Sequence, residues 1–270
     1  MTPEIREGEV DFDAPGAGKP SKTWYKIVGS LESGSTPLIL LHGGPGAGHE
    51  YLSSLIDLYH KHGTPLIFYD QIGYKGFYIL GQSWGGILAG AYASRRPKGL
   101  LKAVIHSGPA SIPLYVKGCN DLLAALPPDV RRTLEDCERR GDHESEEFEK
   151  ASAVFYGRHV CRLDPYPDDV LMAFKHLKED PTAYLTLQGP SEFVIIGSLK
   201  EWEGWQDAHK IEVETLLINA RYDEVTSLSI EPWFKHIPKV KWVTLENSSH
   251  MAHYEERERF MEIVGEFLSK

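Results

Sequence analysis

The residues that could do chemistry begin with Ser83, in Gly81-Gln82-Ser83-Trp84-Gly85-Gly86. The apolar run Phe77-Tyr78-Ile79-Leu80 leads into it, and the small-residue run Ile87-Leu88-Ala89-Gly90-Ala91-Tyr92-Ala93 follows. A serine at a sharp strand-to-helix turn holds its hydroxyl clear of the backbone, and that context separates a G-x-S-x-G nucleophile from an ordinary Gly/Ser turn. Gly81 and Gly85 leave room for the turn, where a Cβ would crowd the adjoining strand and helix. The chemistry so offered is acyl transfer. A serine hydroxyl attacks a carbonyl carbon once a base takes its proton, and a histidine held by a carboxylate is the usual base.

In a chain with this elbow the order is serine, then acid, then histidine. Asp223 follows the apolar run at 213–218, with Glu224 beside it as the rival acid. His250, in Asn247-Ser248-Ser249-His250-Met251, follows the run at 240–245. Of the twelve histidines, His253 is the nearest rival, but it falls at the start of the final helix. His42 and His106 follow strands in the wrong chain order. His42-Gly43-Gly44-Pro45-Gly46 adds a loop in which a glycine N–H can approach a substrate carbonyl oxygen. With the N–H of Trp84 it makes an oxyanion hole, Gly44 being the first choice of donor and Gly43 the second.

These residues need a scaffold that brings distant loops to one edge. Short apolar strands are expected at 37–41, 66–69, 102–105, 213–218 and 240–245, besides the one before Ser83. Helical patterns intervene at 51–61, after Ser83 and at 254–268, where Phe260, Ile263, Val264 and Phe267 recur at helical spacing. Strands alternating with helices imply an α/β fold with a mostly parallel central sheet flanked by helices. Two runs near 4–11 and 24–28, around Ala14-Pro15-Gly16-Ala17-Gly18, read as an opening hairpin. Residues 112–210 break the alternation and read as an inserted helical cap, leaving 1–111 and 211–270 as the core. Ligands bind at the C-terminal edge of such sheets.

The chain carries 29 Lys and Arg against 39 Asp and Glu, a formal charge of −10. That balance argues against nucleic acid and suits a cationic substrate. No run approaches a membrane span and the start lacks a signal-peptide core. Cys119, Cys137 and Cys161 match no zinc spacing, so reduced thiols in a cytoplasmic protein are expected, with no metal and no cofactor.

Taken together, His42-Gly43-Gly44-Pro45-Gly46, Tyr69-Asp70-Gln71-Ile72-Gly73, Gly81-Gln82-Ser83-Trp84-Gly85-Gly86, Gly189-Pro190-Ser191-Glu192-Phe193 and Asp223-Glu224 resemble the proline iminopeptidase and L-amino acid amidase family of α/β-hydrolases. The resemblance runs from about Pro37 to the C-terminus. It implies a Ser83-His250-Asp223 triad under a helical cap, releasing an N-terminal residue, often proline, from short peptides or amino-acid amides. It further implies that Glu192 and Glu224 hold the substrate's free amino group, with Tyr184 and Phe193 lining the same pocket. Packing inside the cap is the other reading for those two aromatic residues. Alternative functions are an ester or lactone hydrolase on the same triad, or a shortened non-catalytic relative that acts by binding.

The chain departs from the family at one point. Tyr74-Lys75-Gly76 alone joins Gly73 to the strand before Ser83, where the family has a crossover helix. Parallel strands need a dozen or more connecting residues, so on the order of thirty, a whole βαβ unit, are missing. A shortened or incomplete chain is expected here, rather than a new sheet order.

Overall fold

The computed structural model describes residues 3–12, 21–32, 34–43, 49–68 and 77–270. Among them the strands are β1 (Ile5–Phe12), β2 (Ser21–Val28), β3 (Leu38–Leu41), β4 (Leu66–Phe68), β5 (Phe77–Gln82), β6 (Leu100–His106), β7 (Glu214–Ala220) and β8 (Val240–Leu245). They form one sheet in the order β1-β2-β4-β3-β5-β6-β7-β8. β1 and β2 pair antiparallel as the opening hairpin, β2 pairs antiparallel with β4, and every pairing from β4 to β8 is parallel.

Both faces of the parallel part are covered, which is why its strands read as unbroken apolar runs. The alternation of side chains sorts those runs between two cores. Ile39, Ile79, Ala103, Ile105 and Leu217 point into one, with Ile87 and Ala89 of α2 (Trp84–Ala93) and Trp233 of α8 (Ser227–His236). Leu38, Leu40, Leu80, Val104, Leu216 and Ile218 point into the other, with Leu58 of α1 (Asp57–His62) and Phe260 and Val264 of α10 (Arg257–Ser269). The helix expected at 51–61 begins as a 3-10 turn, Glu50–Ile56, before α1. The expected final helix is split, with a short α9 (Ala252–Glu255) ahead of α10.

Between β6 and β7 the chain builds α3 (Ile112–Ala124), α4 (Pro128–Arg140), α5 (Glu146–His159), α6 (Asp168–Glu179) and α7 (Thr182–Leu187), and contributes no strand to the sheet. Local signals start these helices. Ser111 caps α3 by accepting from Leu114 N–H, and Ser145 caps α5 by accepting from Phe148 N–H. Acidic Glu146, Glu147 and Glu149 in the first turn of α5, with Arg158 and His159 in its last, match the helix dipole. The end of α5 is tied to the sheet edge. The carbonyl of His159 accepts from Glu224 N–H at 3.1 Å and from His250 N–H at 3.3 Å, and that of Val160 accepts from Met251 N–H at 3.0 Å.

The short connection before Ser83 lies in 69–76, outside the described residues, as does Tyr69-Asp70-Gln71-Ile72-Gly73. The flanking strands do not form the antiparallel hairpin that so brief a link favours. β4 and β5 lie on opposite sides of β3, and all three run parallel. No helix among the described residues is long and apolar enough to cross a membrane.

Candidate active site

Ser83 sits between β5 and α2 with φ 57° and ψ −121°, a conformation costly for a residue with a side chain. The elbow is locked by close packing. A Cβ on Gly81 would fall 1.9 Å from the Gly85 carbonyl oxygen, and one on Gly85 would fall 2.1 Å from that of Leu41. Ser83 N–H donates to the His106 carbonyl at 2.9 Å. Trp84 N–H, at the first position of α2, is one of the donors that a helix leaves without an intrahelical partner.

Asp223 and His250 lie on the loops after β7 and β8, at the same edge as Ser83. His250 Nδ1 is 2.8 Å from Asp223 Oδ1, with Asp223 2% exposed and His250 4%. The carboxylate is held on three sides. Val225 N–H donates to Oδ1 at 2.8 Å, the Ser107 hydroxyl donates to Oδ2 at 2.5 Å, and the imidazole completes the set. Burial opposes a charged imidazole, but the carboxylates of Asp223, Glu224 and Glu192 together outweigh it and draw His250 up to about 9. His250 Nε2 lies 3.8 Å from Glu224 Oε1. Among the described residues no hydrogen bond joins the Ser83 hydroxyl to His250. Both side chains line one cavity, together with Glu192, Glu224 and Tyr184.

Glu224 is 6% exposed, and its Oε2 is buried with no partner. Burial, then the charge of Glu192, pushes its carboxyl well above the ordinary range. Glu192 is gripped from the helical segment. Tyr115 of α3 donates to its Oε2 at 2.6 Å, Tyr184 of α7 donates to its Oε1 at 2.7 Å, and Gln188 Nε2 also donates to Oε2. Two carboxyls, one with an oxygen that lacks a donor, thus face the space beside Ser83 and His250. A cation bearing several N–H groups satisfies such a pair, whereas an apolar group leaves it unpaired.

Phe193 takes the packing alternative. It does not line the cavity; it is 5% exposed and its ring packs edge-on against Phe155, with centroids 4.9 Å apart. Gly43, the second choice of oxyanion donor, is hydrogen-bonded within the chain. Its N–H donates to Tyr51 Oη, which in turn donates to Gln82 Oε1 at 2.8 Å, so in this arrangement that donor is engaged. Gly44 lies outside the described residues. His253 is buried beneath the site, with Nε2 2.9 Å from the Tyr51 carbonyl oxygen.

Sequence reasoning missed Ser107, Tyr115, Gln188 and Tyr51. Only Ser107 carried a local signal, since it directly follows a strand at the same sheet edge, as Ser83 does.

A family model for the alpha/beta hydrolase fold matches residues 67–257. A curated proline iminopeptidase of Saccharolobus solfataricus is 33% identical, over 91% of this chain and 87% of its own. The chain belongs to the proline iminopeptidase family of α/β-hydrolases. Among solved structures, that of VinJ is 35% identical with a TM-score of 0.90, covering 97% of this chain and 98% of that one. The proline iminopeptidase of Mycobacterium smegmatis is 31% identical with a TM-score of 0.85, covering 96% and 98%. The Saccharolobus match extends over 277 aligned positions, and 91% of this chain is about 246 residues. About thirty positions of that match therefore have no residue in this chain. That is the size of the crossover unit expected to be missing before β5.

Proposed function

We propose that the protein is a serine hydrolase that releases an N-terminal residue, proline foremost, from short peptides or amino-acid amides, with residues 112–210 as a cap over the site. Ser83 Oγ attacks the first carbonyl carbon while His250 Nε2 takes its proton and Asp223 holds the imidazole through Nδ1. The N–H groups of Trp84 and Gly44 receive the developing oxyanion. His250 returns the proton to the leaving amine, and the C–N bond breaks to leave an acyl-Ser83. A water, deprotonated by His250, then releases the free amino acid.

The observation that carries the reading is the pairing of His250 and Asp223 beside two carboxyls, Glu192 and Glu224, in the cavity that Ser83 lines. A substrate ammonium held between those carboxyls admits only the first peptide bond to Ser83. It also draws Glu224 off His250 Nε2, freeing that nitrogen for the serine hydroxyl. Hydrogen bonds of this kind are commonly unmade before substrate binds.

The deciding experiment compares prolyl-anilide with its N-acetylated form, on wild type, Ser83→Ala and Glu192→Gln. Turnover is expected for the free amine alone. Ser83→Ala should abolish it, and Glu192→Gln should lower kcat/KM by about two orders of magnitude, the loss of a partly buried ion pair. Equal turnover of the acetylated substrate, or activity in Ser83→Ala, would refute the reading. A fluorophosphonate that labels wild type but not Ser83→Ala separates an active hydrolase from a non-catalytic relative.

A further inference from the structure

One buried chain of hydrogen bonds ties the turn at Ser83 to two other parts of the site. Gln82, the residue before Ser83, ends β5 and is buried. Its Nε2 donates to the His250 carbonyl at 3.2 Å, and its Oε1 accepts from Tyr51 Oη at 2.8 Å. Tyr51, buried on the 3-10 turn, accepts in its own right from Gly43 N–H. The parts are in close contact. A Cβ on Gly43 would fall 2.8 Å from both Gln82 Oε1 and Ser83 Cβ. Tyr51 and Gln82 also line the cavity beside Ser83.

The chain has one direction. A phenol carries a single hydrogen, and burial pushes the Tyr51 hydroxyl up, so it keeps that hydrogen. The hydrogen goes to Gln82 Oε1, which leaves the amide nitrogen to face His250. The other backbone group of His250, its N–H, donates to the His159 carbonyl. The His250 backbone is thus held by the end of β5 on one side and the end of α5 on the other. At the far end the chain grips Gly43, to which the proposed oxyanion donor Gly44 is bonded. Oxyanion donors act only while they are fixed where the charge develops. Resting on the reaction proposed above, we infer that Tyr51 and Gln82 are positioning residues, whose bridge sets the spacing between the Gly43 backbone, Ser83 and His250.

The test uses Tyr51→Phe, Gln82→Met and the double variant, which keep side-chain size and remove the bridging polar atoms. The first readout is the rate at which a fluorophosphonate labels Ser83, because that step uses Ser83, His250 and the oxyanion donors but no substrate amine. This rate, and kcat on prolyl-anilide, should fall at least about tenfold in each single variant, short of the roughly hundredfold or more for an oxyanion donor removed outright. Calorimetric affinity for prolyl-anilide, with Ser83→Ala added to each variant, should stay within about twofold, since Glu192 and Glu224 are untouched. The double variant should lose no more than the worse single one, because either change opens the same chain. Wild-type labelling and kcat in either folded variant would overturn the inference. So would affinity lost in step with rate, two losses that multiply in the double variant, or failure of both single variants to fold. Should one not fold, the other decides. If labelling slows as expected while wild type hydrolyses no prolyl substrate, the proposed reaction fails and the bridge stands; a wild type that is never labelled defeats both.

Discussion

The Ser107 hydroxyl donates to Asp223 Oδ2 over 2.5 Å, and both residues are buried. Asp223 thus receives one donor on the oxygen that does not face His250, which fixes the plane of the carboxylate and through it the imidazole. Ser107→Ala leaves a buried carboxylate oxygen without its donor. The variant should lose about 1–3 kcal/mol of stability. Because the imidazole is then less well aimed, kcat should fall about tenfold with KM nearly unchanged. Urea unfolding and steady-state kinetics on a prolyl-anilide check both, and an unchanged kcat would show that Ser107 does not position Asp223 for the reaction.

In the proposed reaction the proton on His250 sets the pH response. Its folded-state value lies at about 9, above the ordinary 6.5. Only the neutral imidazole can take the serine proton, so kcat/KM should climb on the acid side through about pH 9 in the free enzyme. Glu224→Gln removes one negative charge 3.8 Å from Nε2, and should move that limb to lower pH. Movement to higher pH would contradict the assignment. Stability runs the other way. A raised value means that the folded chain binds the proton more tightly, so this contribution is complete below about pH 6.5 and is lost as pH rises through about 9. Melting temperatures between pH 6 and 10 report it.

The elbow tolerates no side chain at Gly81. Its Cβ would overlap backbone, not a flexible side-chain tip, so relief requires moving β5 against α2. Gly81→Ala should cost more than about 3 kcal/mol or fail to yield soluble protein. Circular dichroism melts are sufficient, and a melting temperature equal to wild type would show that the strand and helix are not packed as described.

Acid should loosen the fold through a buried histidine pair. His253 Nδ1 and His106 Nε2 are both buried without partners, and the two rings meet edge-on with centroids 5.2 Å apart. Burial holds His253 down to about 3 and His106 well below its ordinary value. Below pH 6.5 the unfolded chain takes up protons that the folded chain refuses. Stability is therefore intact above that pH and falls as pH drops toward 3, by about 1.4 kcal/mol per pH unit per site. Urea midpoints at pH 7, 6 and 5 should show the decline, and His106→Leu should flatten it. A wild-type midpoint independent of pH over that range would be the contrary result.

What could be read from the chain alone was whatever depends on neighbours in sequence or on chain order. The turn at Ser83 is a matter of local sterics, since Gly81 and Gly85 are needed within two residues of it. The apolar runs announced the parallel strands because burial on both faces demands them. That Asp223 and His250 would meet at one sheet edge was reachable because each follows a parallel strand. Tertiary structure alone decided what depends on side chains far apart in sequence meeting. Ser107 reaches Asp223 across 116 residues, and Tyr115 reaches Glu192 across 77. No local pattern encodes such encounters, because they arise only after helices and strands have packed. Tyr184 and Phe193 were equal candidates by type and by their nearness to Glu192. Packing separated them, giving one a hydrogen bond to the glutamate and the other an aromatic partner in the core. The parallel placement of β4, β3 and β5, despite the short link before Ser83, was likewise settled in three dimensions. Burial of both sheet faces favours that order over the hairpin that the link length by itself would suggest.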